Sequence, residues 1–280
     1  RRQRQMCIRD SSKTVHPIVA PHETSTVSPK VLKELSSYAL ENDLLTHIHL
    51  AQTQKEMEYI KSNFKTSPIK HAYNLGILNE KVIAAHCNVI EDGDLELLAD
   101  SKAFPVFCPT THGIAGKPMN TNFLSELNVD WGIGTDCSGG NDDYDMLEEM
   151  RTALVLNNSV AKKNFIKPKE VFRKASEENI KRISGGVFSG KLSKNQKADF
   201  ITVLINTPRM LPLHDVVNNI VMCASSKEIN DVYIDGKCVL KNSKFQQIDE
   251  QAVLEDGMNA LNKIFVKTGF DKKISEGDFL

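Results

Sequence analysis

Between about residue 17 and residue 137 the chain alternates short apolar or β-branched runs with amphipathic stretches at helical spacing. That alternation is the pattern of repeated βα units, in which parallel strands are joined by helical crossovers and the sheet is covered by helices. The predicted strands are 17–21 (PIVAP), 44–50 (LLTHIHL), 81–86 (KVIAAH), 104–108 (FPVFC) and 129–135 (VDWGIGT). Ser28-Pro29 supplies an N-cap and first-turn pair for a helix with Val31, Leu32, Leu35, Tyr38 and Ala39 on one face. Further helices are predicted from about Gln54, around 69–75, under Leu95, Leu97, Leu98 and Ala99, and over 146–156. Five such strands, with polar residues gathered at their ends, fit the C-terminal part of a (β/α)8 barrel. A doubly wound open sheet fits the periodicity equally well.

After a helical segment at 168–183 the pattern changes. The runs 199–205 (DFITVLI), 218–224 and 231–240 (DVYIDGKCVL) are predicted antiparallel strands with an Asp235-Gly236 hairpin turn, and an amphipathic helix follows over 250–265. The expected organisation is a non-native or disordered junction at 1–13, a partial barrel over 14–190, strands of a small β-sandwich module over 191–249, and a C-terminal helix and tail over 250–280. Because the chain enters PIVAPH as a strand already under way, it reads as N-terminally truncated.

Charge excludes some partners. With 35 Lys+Arg against 36 Asp+Glu the net charge is -1, so no electrostatic case exists for nucleic acid or an anionic membrane. Lys, Asp, Asn or His interrupts each hydrophobic stretch, so no span of about 18 apolar residues forms. The six cysteines form no CxxC pair, which argues against a zinc knuckle or a disulfide framework and leads us to expect reduced thiols in a cytoplasmic protein. Phe107-Cys108-Pro109 lacks the second cysteine of the P-C-x-x-C nucleobase deaminases.

Four of the five predicted strand ends carry a residue able to bind a metal or move a proton: His22, His47 and His49, His86, and Asp136. In a parallel barrel these ends share one face. Imidazoles plus a carboxylate suit a catalytic divalent ion, Zn²⁺ first and Fe²⁺ or Mn²⁺ by the same donors. His47 and His49, two apart, share a strand face, and His47 either fills the interior or braces His49. His112, in CPTTHG, is expected on a loop where solvent exposure is the first reading and substrate contact the second.

In order along the chain, APH, HIHLAQT, AAHC and GTD resemble the amidohydrolase superfamily, in the branch of methylthioadenosine/S-adenosylhomocysteine deaminases and triazine chlorohydrolases. The resemblance runs from about Val19 to Lys241 and includes NQKADFITV and IDGKCVL. It implies that His49 is a metal ligand, that Asp136 is both ligand and base toward the attacking water, that His86 orients that water, and that His22 contacts substrate. Family deaminases carry a Glu three residues after the metal-binding His; here that position is Gln52, which can hydrogen-bond a ring nitrogen but holds no titrating proton. No HxH pair precedes His22, so with two ligands, His49 and Asp136, this chain is expected to bind metal weakly or not at all. No lysine ends the PIVAPH strand where binuclear members carry a carbamylated one, so a single ion is implied.

The expected function is metal-dependent hydrolysis of a C–N or C–X bond of a heterocyclic or nucleoside-like small molecule, in a possible homo-oligomer. The alternative, motivated by Gln52 and the absent HxH, is a catalytically impaired homologue that keeps the barrel as a scaffold.

Overall fold

A computed structural model describes residues 16–117, 121, 124 and 126–269. The expected junction at 1–13, and the tail beyond 269, lie outside the described residues. The chain divides into two compact units, one made of residues up to 197 with 205–226, the other of 198–204 with the residues from 227 onward.

The first unit is built on four parallel strands in the order β1 (Thr46–Leu50), β2 (Val82–His86), β3 (Phe104–Phe107) and β4 (Gly132–Ile133). Ahead of β1, residues 17–23 do not form a continuous strand. They pair with it at two bridges, Val19 with Thr46 and Glu23 with His49, both parallel. The helices lie between the strands, as the alternation demands: α1 (Pro29–Glu41), α2 (Gln54–Phe64), α3 (Pro68–Asn74), α4 (Asp94–Ser101) and α5 (Pro109–Ile114). Their starts are set by local chemistry. Ser28, Thr53 and Ser67 accept hydrogen bonds from first-turn N–H groups, and Pro29, Pro68 and Pro109 occupy first-turn positions where a missing N–H costs nothing. Ile48, Leu50, Val82 and Ala84 form a buried cluster with Leu32, Ile69, Ala72 and Leu98 from the helices. Burying each large aliphatic side chain there contributes about 1.5–3 kcal/mol. His47 and His49, at the alternate positions of β1, are only partly buried.

Beyond β4, a short turn of helix α6 (Ser138–Asn141) leads to α7 (Met146–Val160), capped by the Asp145 carboxylate. Helix α8 (Pro168–Arg173) continues through one π turn, Lys174–Glu178, into α9 (Asn179–Ile183). Gly132 is needed where this segment meets the sheet: a Cβ there would lie 2.0 Å from Asn179 Oδ1 and 2.8 Å from the Phe104 ring. The expected strand at 218–224 is instead helix α10 (Val216–Cys223). Asp215 caps it by accepting from the Asn218 N–H at 2.8 Å, and Asn219 donates to the Met210 carbonyl at 2.8 Å. A short apolar run such as IVMCA does not separate strand from helix by periodicity alone, and the cap decides it.

The second unit is an antiparallel sheet, β5 (Phe200–Val203), β6 (Ile229–Ile234), β7 (Lys237–Lys241) and β8 (Lys244–Phe245), followed by α11 (Glu250–Thr268). Asp235 and Gly236, both at positive φ, make the hairpin turn between β6 and β7. No described helix is long and apolar enough to cross a membrane.

Candidate active site and metal centre

The candidate site residues His22, His49, His86 and Asp136 gather at the carboxyl ends of the parallel strands. There the backbone leaves its strand conformation: Ala51, His86, Cys87 and Asp136, none of them glycine, have φ of 52°, 78°, 45° and 61°. Left-handed non-glycine residues cost energy and concentrate at functional sites. At His86 the consequence is specific. Strict alternation would send its side chain the way of Val82 and Ala84, into the helix-covered layer. The positive φ takes it out of that alternation, and its ring stacks on His49 with centroids 5.4 Å apart.

His49 lies among three other imidazoles. Its ring is 5.1 Å from that of His22 and 6.2 Å from that of His47, and His86 in turn is 5.4 Å from His112. The Nδ1 of His49 is 2.8 Å from the His22 carbonyl oxygen. A carbonyl can only accept, so the proton sits on Nδ1 and Nε2 presents a bare lone pair, the tautomer a metal ligand requires. The Nδ1 of His22 is itself 2.8 Å from Thr26 Oγ1. Asp136 Oδ1 accepts from the Cys137 N–H at 2.7 Å. Gly140 keeps space beside the other oxygen, since a Cβ there would lie 3.3 Å from Asp136 Oδ2.

His112 is not a solvent-exposed loop residue. It is 2 % exposed on α5, and its Nε2 lies 3.1 Å from His86 Nδ1. Pro109 starts a helix directly after β3 and turns the side chain inward, where the Phe107 ring meets it edge-on. One proton is shared along the His86–His112 contact, and the far nitrogens, His86 Nε2 and His112 Nδ1, are buried without a protein partner. Burial lowers the His86 pKa to about 4, against the opposing pull of Asp136, and that of His112 to about 3. Both pKa values fall below the ordinary histidine value. The stability of the neutral pair is therefore fully present above about pH 6.5 and lost as pH falls toward 4. Buried Glu56, Asp94 and Glu149, whose carboxyls burial pushes up, act in the opposite sense. A His112→Phe variant isolates the histidine contribution: between neutral pH and about pH 5 its urea-unfolding stability is expected to fall less than that of wild type. Parallel pH dependence in the two proteins would rule out the buried neutral pair.

Gln52 sits in the turn between β1 and α2. Its backbone N–H donates to Glu56 Oε2 at 2.9 Å, while Thr24 Oγ1 donates to Glu56 Oε1 at 2.6 Å. Glu56, 1 % exposed, thereby ties the segment after His22 to the turn after His49. Sequence reasoning did not single it out as a site residue, although Thr53-x-x-Glu56 is a capping-box signature and was available as a signal. Glu56→Ala is expected to cost about 2 kcal/mol, the penalty of leaving the buried Thr24 hydroxyl and the part-buried Gln52 N–H unpaired, measured as a shift in the urea-unfolding midpoint. A shift worth under about 1 kcal/mol would show that water replaces the carboxylate there. On the other side, Glu149 accepts from the Thr110 N–H at 3.0 Å and from Asn141 Nδ2 at 2.6 Å, and Asn141 also reaches the Thr135 carbonyl. This braces the turn that carries Asp136. No sequence pattern marked Glu149.

Among the described residues, the ligating atoms of His86, Cys108 and Asp136 lie within 4.8 Å of one another. Cys108 directly follows β3 and is buried.

A family profile described as the amidohydrolase family matches residues 3–239. The 5-methylthioadenosine/S-adenosylhomocysteine deaminase of Clostridium tetani is 29% identical over 258 residues, 91% of this chain and 60% of the relative. The deaminase of the same name from Bacillus thuringiensis is 30% identical over 239 residues, 85% of this chain and 55% of the relative. The chain thus spans a little over half the length of these curated relatives. Among solved structures, a zinc-bound adenosine deaminase from Xanthomonas campestris superposes with a TM-score of 0.87 at 24% identity, covering 91% of this chain and 59% of that one. Zinc-bound atrazine chlorohydrolase TrzN from Arthrobacter aurescens superposes with a TM-score of 0.82 at 16% identity, covering 92% and 58%. At these identities the two structures show the fold, in which a (β/α)8 barrel accounts for the parallel sheet of the first unit.

Proposed function

Because this chain belongs to the amidohydrolase family, we propose that the protein carrying it hydrolyses a C–N or C–X bond of a heterocyclic, nucleoside-like small molecule. The observation that carries this reading is the gathering of His22, His49, His86 and Asp136 at one edge of the parallel sheet, with His86 Nε2 buried and unpartnered. The donor chemistry fits a divalent ion: the His49 imidazole, with its Nδ1 proton held by the His22 carbonyl, and the Asp136 carboxylate. His49 and Asp136 would hold it, with Zn²⁺ the first choice. When bound, such an ion supplies Lewis acidity and makes water a better nucleophile near neutral pH.

The chain's own residues do the rest. Asp136 takes the proton of the attacking water through its free carboxylate oxygen. His86, neutral and held by His112, accepts a hydrogen bond from that water at Nε2 and so fixes its direction of approach. His22 and Gln52 meet the heterocycle, Gln52 as a hydrogen-bond partner of a ring nitrogen. His112 acts through His86. In the whole protein residues 14–190 would belong to a partial barrel and the strands within 191–249 to a small β-sandwich module, with the helix and tail of 250–280 after it; residues 205–226, including α10, group with the first unit.

The deaminase relatives and the chlorohydrolase fold neighbour set the substrates to try. The intact protein, supplied with Zn²⁺, is incubated with 5-methylthioadenosine, S-adenosylhomocysteine and atrazine, and ammonia and chloride release are measured. Turnover of at least one is expected. Binding of these compounds without turnover, by protein of verified metal content, would instead support the scaffold reading.

A further inference from the structure

We propose that α11 (Glu250–Thr268) is an interface helix, whose exposed apolar face pairs antiparallel with the same face of a second copy of the protein. Every residue of this 19-residue helix is exposed except Phe265, which is partly buried. The helix is nonetheless amphipathic. At about 3.6 residues per turn, Val253, Leu254, Leu261 and Ile264 fall on one face with Met258 at its edge, and all five are exposed. Single hydrophobic side chains scattered over a surface are ordinary, whereas a contiguous apolar face rimmed by polar residues marks an interaction site.

Charge identifies the occupant. Asp249, Glu250, Glu255 and Asp256 lie at the cap and in the first half of the helix, and Lys263 and Lys267 lie in the second half. Asp256, Lys263 and Lys267 also share one border of the apolar face, and none of the three makes an ion pair among the described residues. In an antiparallel pair related by a two-fold axis, each border meets the same border of the other helix running in the opposite direction. Asp256 of one copy then lies between Lys263 and Lys267 of the other, and the symmetry repeats the exchange. That register sets Leu261 beside the axis and Ile264 within one turn of Leu254 of the other copy. The opposed helix dipoles favour the same arrangement, whereas a parallel pair would bring the two acidic halves together. The face is therefore complementary to itself, as a two-fold dimer requires. Two faces of this size make a small interface, so a micromolar dissociation constant that rises with salt is expected.

Sedimentation equilibrium of the intact protein tests this. Wild type is expected to dimerise reversibly, and Ile264→Glu to raise the dissociation constant at least about 10-fold. Asp256→Lys should weaken the dimer as well, and adding Lys263→Asp and Lys267→Asp to it should restore the affinity, a recovery that damage to folding would not produce. Orientation is read by disulfide cross-linking under a mild oxidant. A cross-linked dimer is expected from Leu261→Cys, beside the axis, and none from Leu254→Cys, whose two sulfurs lie several turns apart in the antiparallel register. Should the charge variants fail to fold, these two cysteine variants decide. A monomeric wild type, whether α11 is then bare or covered by another part of the polypeptide, would overturn the proposal. So would a dimer indifferent to Ile264→Glu, or one cross-linked by Leu254→Cys.

Discussion

Asp136→Ala is expected to lower kcat/KM for hydrolysis by about 100- to 10,000-fold, the range in which removal of a positioned general base falls. The reasoning starts from the backbone. Asp136 is held at φ 61°, outside the conformations most residues prefer, and its Oδ1 is tied to the Cys137 N–H. That leaves Oδ2 to take the proton of water, with Gly140 keeping the space beside it clear. Asp136→Asn refines the test, because it keeps the shape and the Oδ1 contact while removing the capacity to accept a proton. Both variants should unfold at urea midpoints near that of wild type, since the side chain is partly exposed. Turnover within about 10-fold of wild type in Asp136→Ala would remove Asp136 from the role of base.

The second large effect runs the other way. Gln52→Glu is expected to raise the rate of ammonia release by about 100-fold while changing chloride release only a few-fold. An amine must leave protonated, and a glutamine holds no proton that it can give up; chloride leaves as a stable anion and needs none. The substitution is nearly isosteric, and the backbone at Gln52 is held independently by Glu56, so the change is confined to the chemistry of the side-chain tip. Steady-state rates of both products across pH would show it, with ammonia release in Gln52→Glu falling as the new carboxyl loses its proton. An unchanged or lower ammonia rate would mean that protonation of the leaving group does not depend on this position.

The strands and most of the helices were legible because their signals are local. Apolar runs in 44–50 and 81–86 matched β1 and β2 to within two residues, and Ser28-Pro29 marked the start of α1 through its capping chemistry. Where the signal was ambiguous the reading failed: 218–224 is rich in apolar and β-branched residues, and only the Asp215 cap and the Asn219 contact to Met210 make it a helix. The expected strand at 129–135 is reduced to Gly132–Ile133. At the site, HxH at 47–49 and the order of His22, His86 and Asp136 could be read directly, because they sit at strand ends. The burial of His112 could not, since it depends on a helix that begins one residue after β3. The places of Glu56, Glu149 and Cys108 depend on contacts across 32, 39 and more than 20 residues, which spacing along the chain does not encode.

The central claim is that water, activated at the ends of β1 to β4, replaces a leaving group on a heterocycle. Turnover of the intact, zinc-supplied protein in water enriched in the heavy oxygen isotope tests this most directly, with mass spectrometry of the product of whichever heterocycle is consumed. The account predicts one heavy oxygen at the ring carbon that lost ammonia or chloride, in wild type and far less in Asp136→Ala. Product without heavy oxygen, or equal labelled product from both proteins, would contradict it.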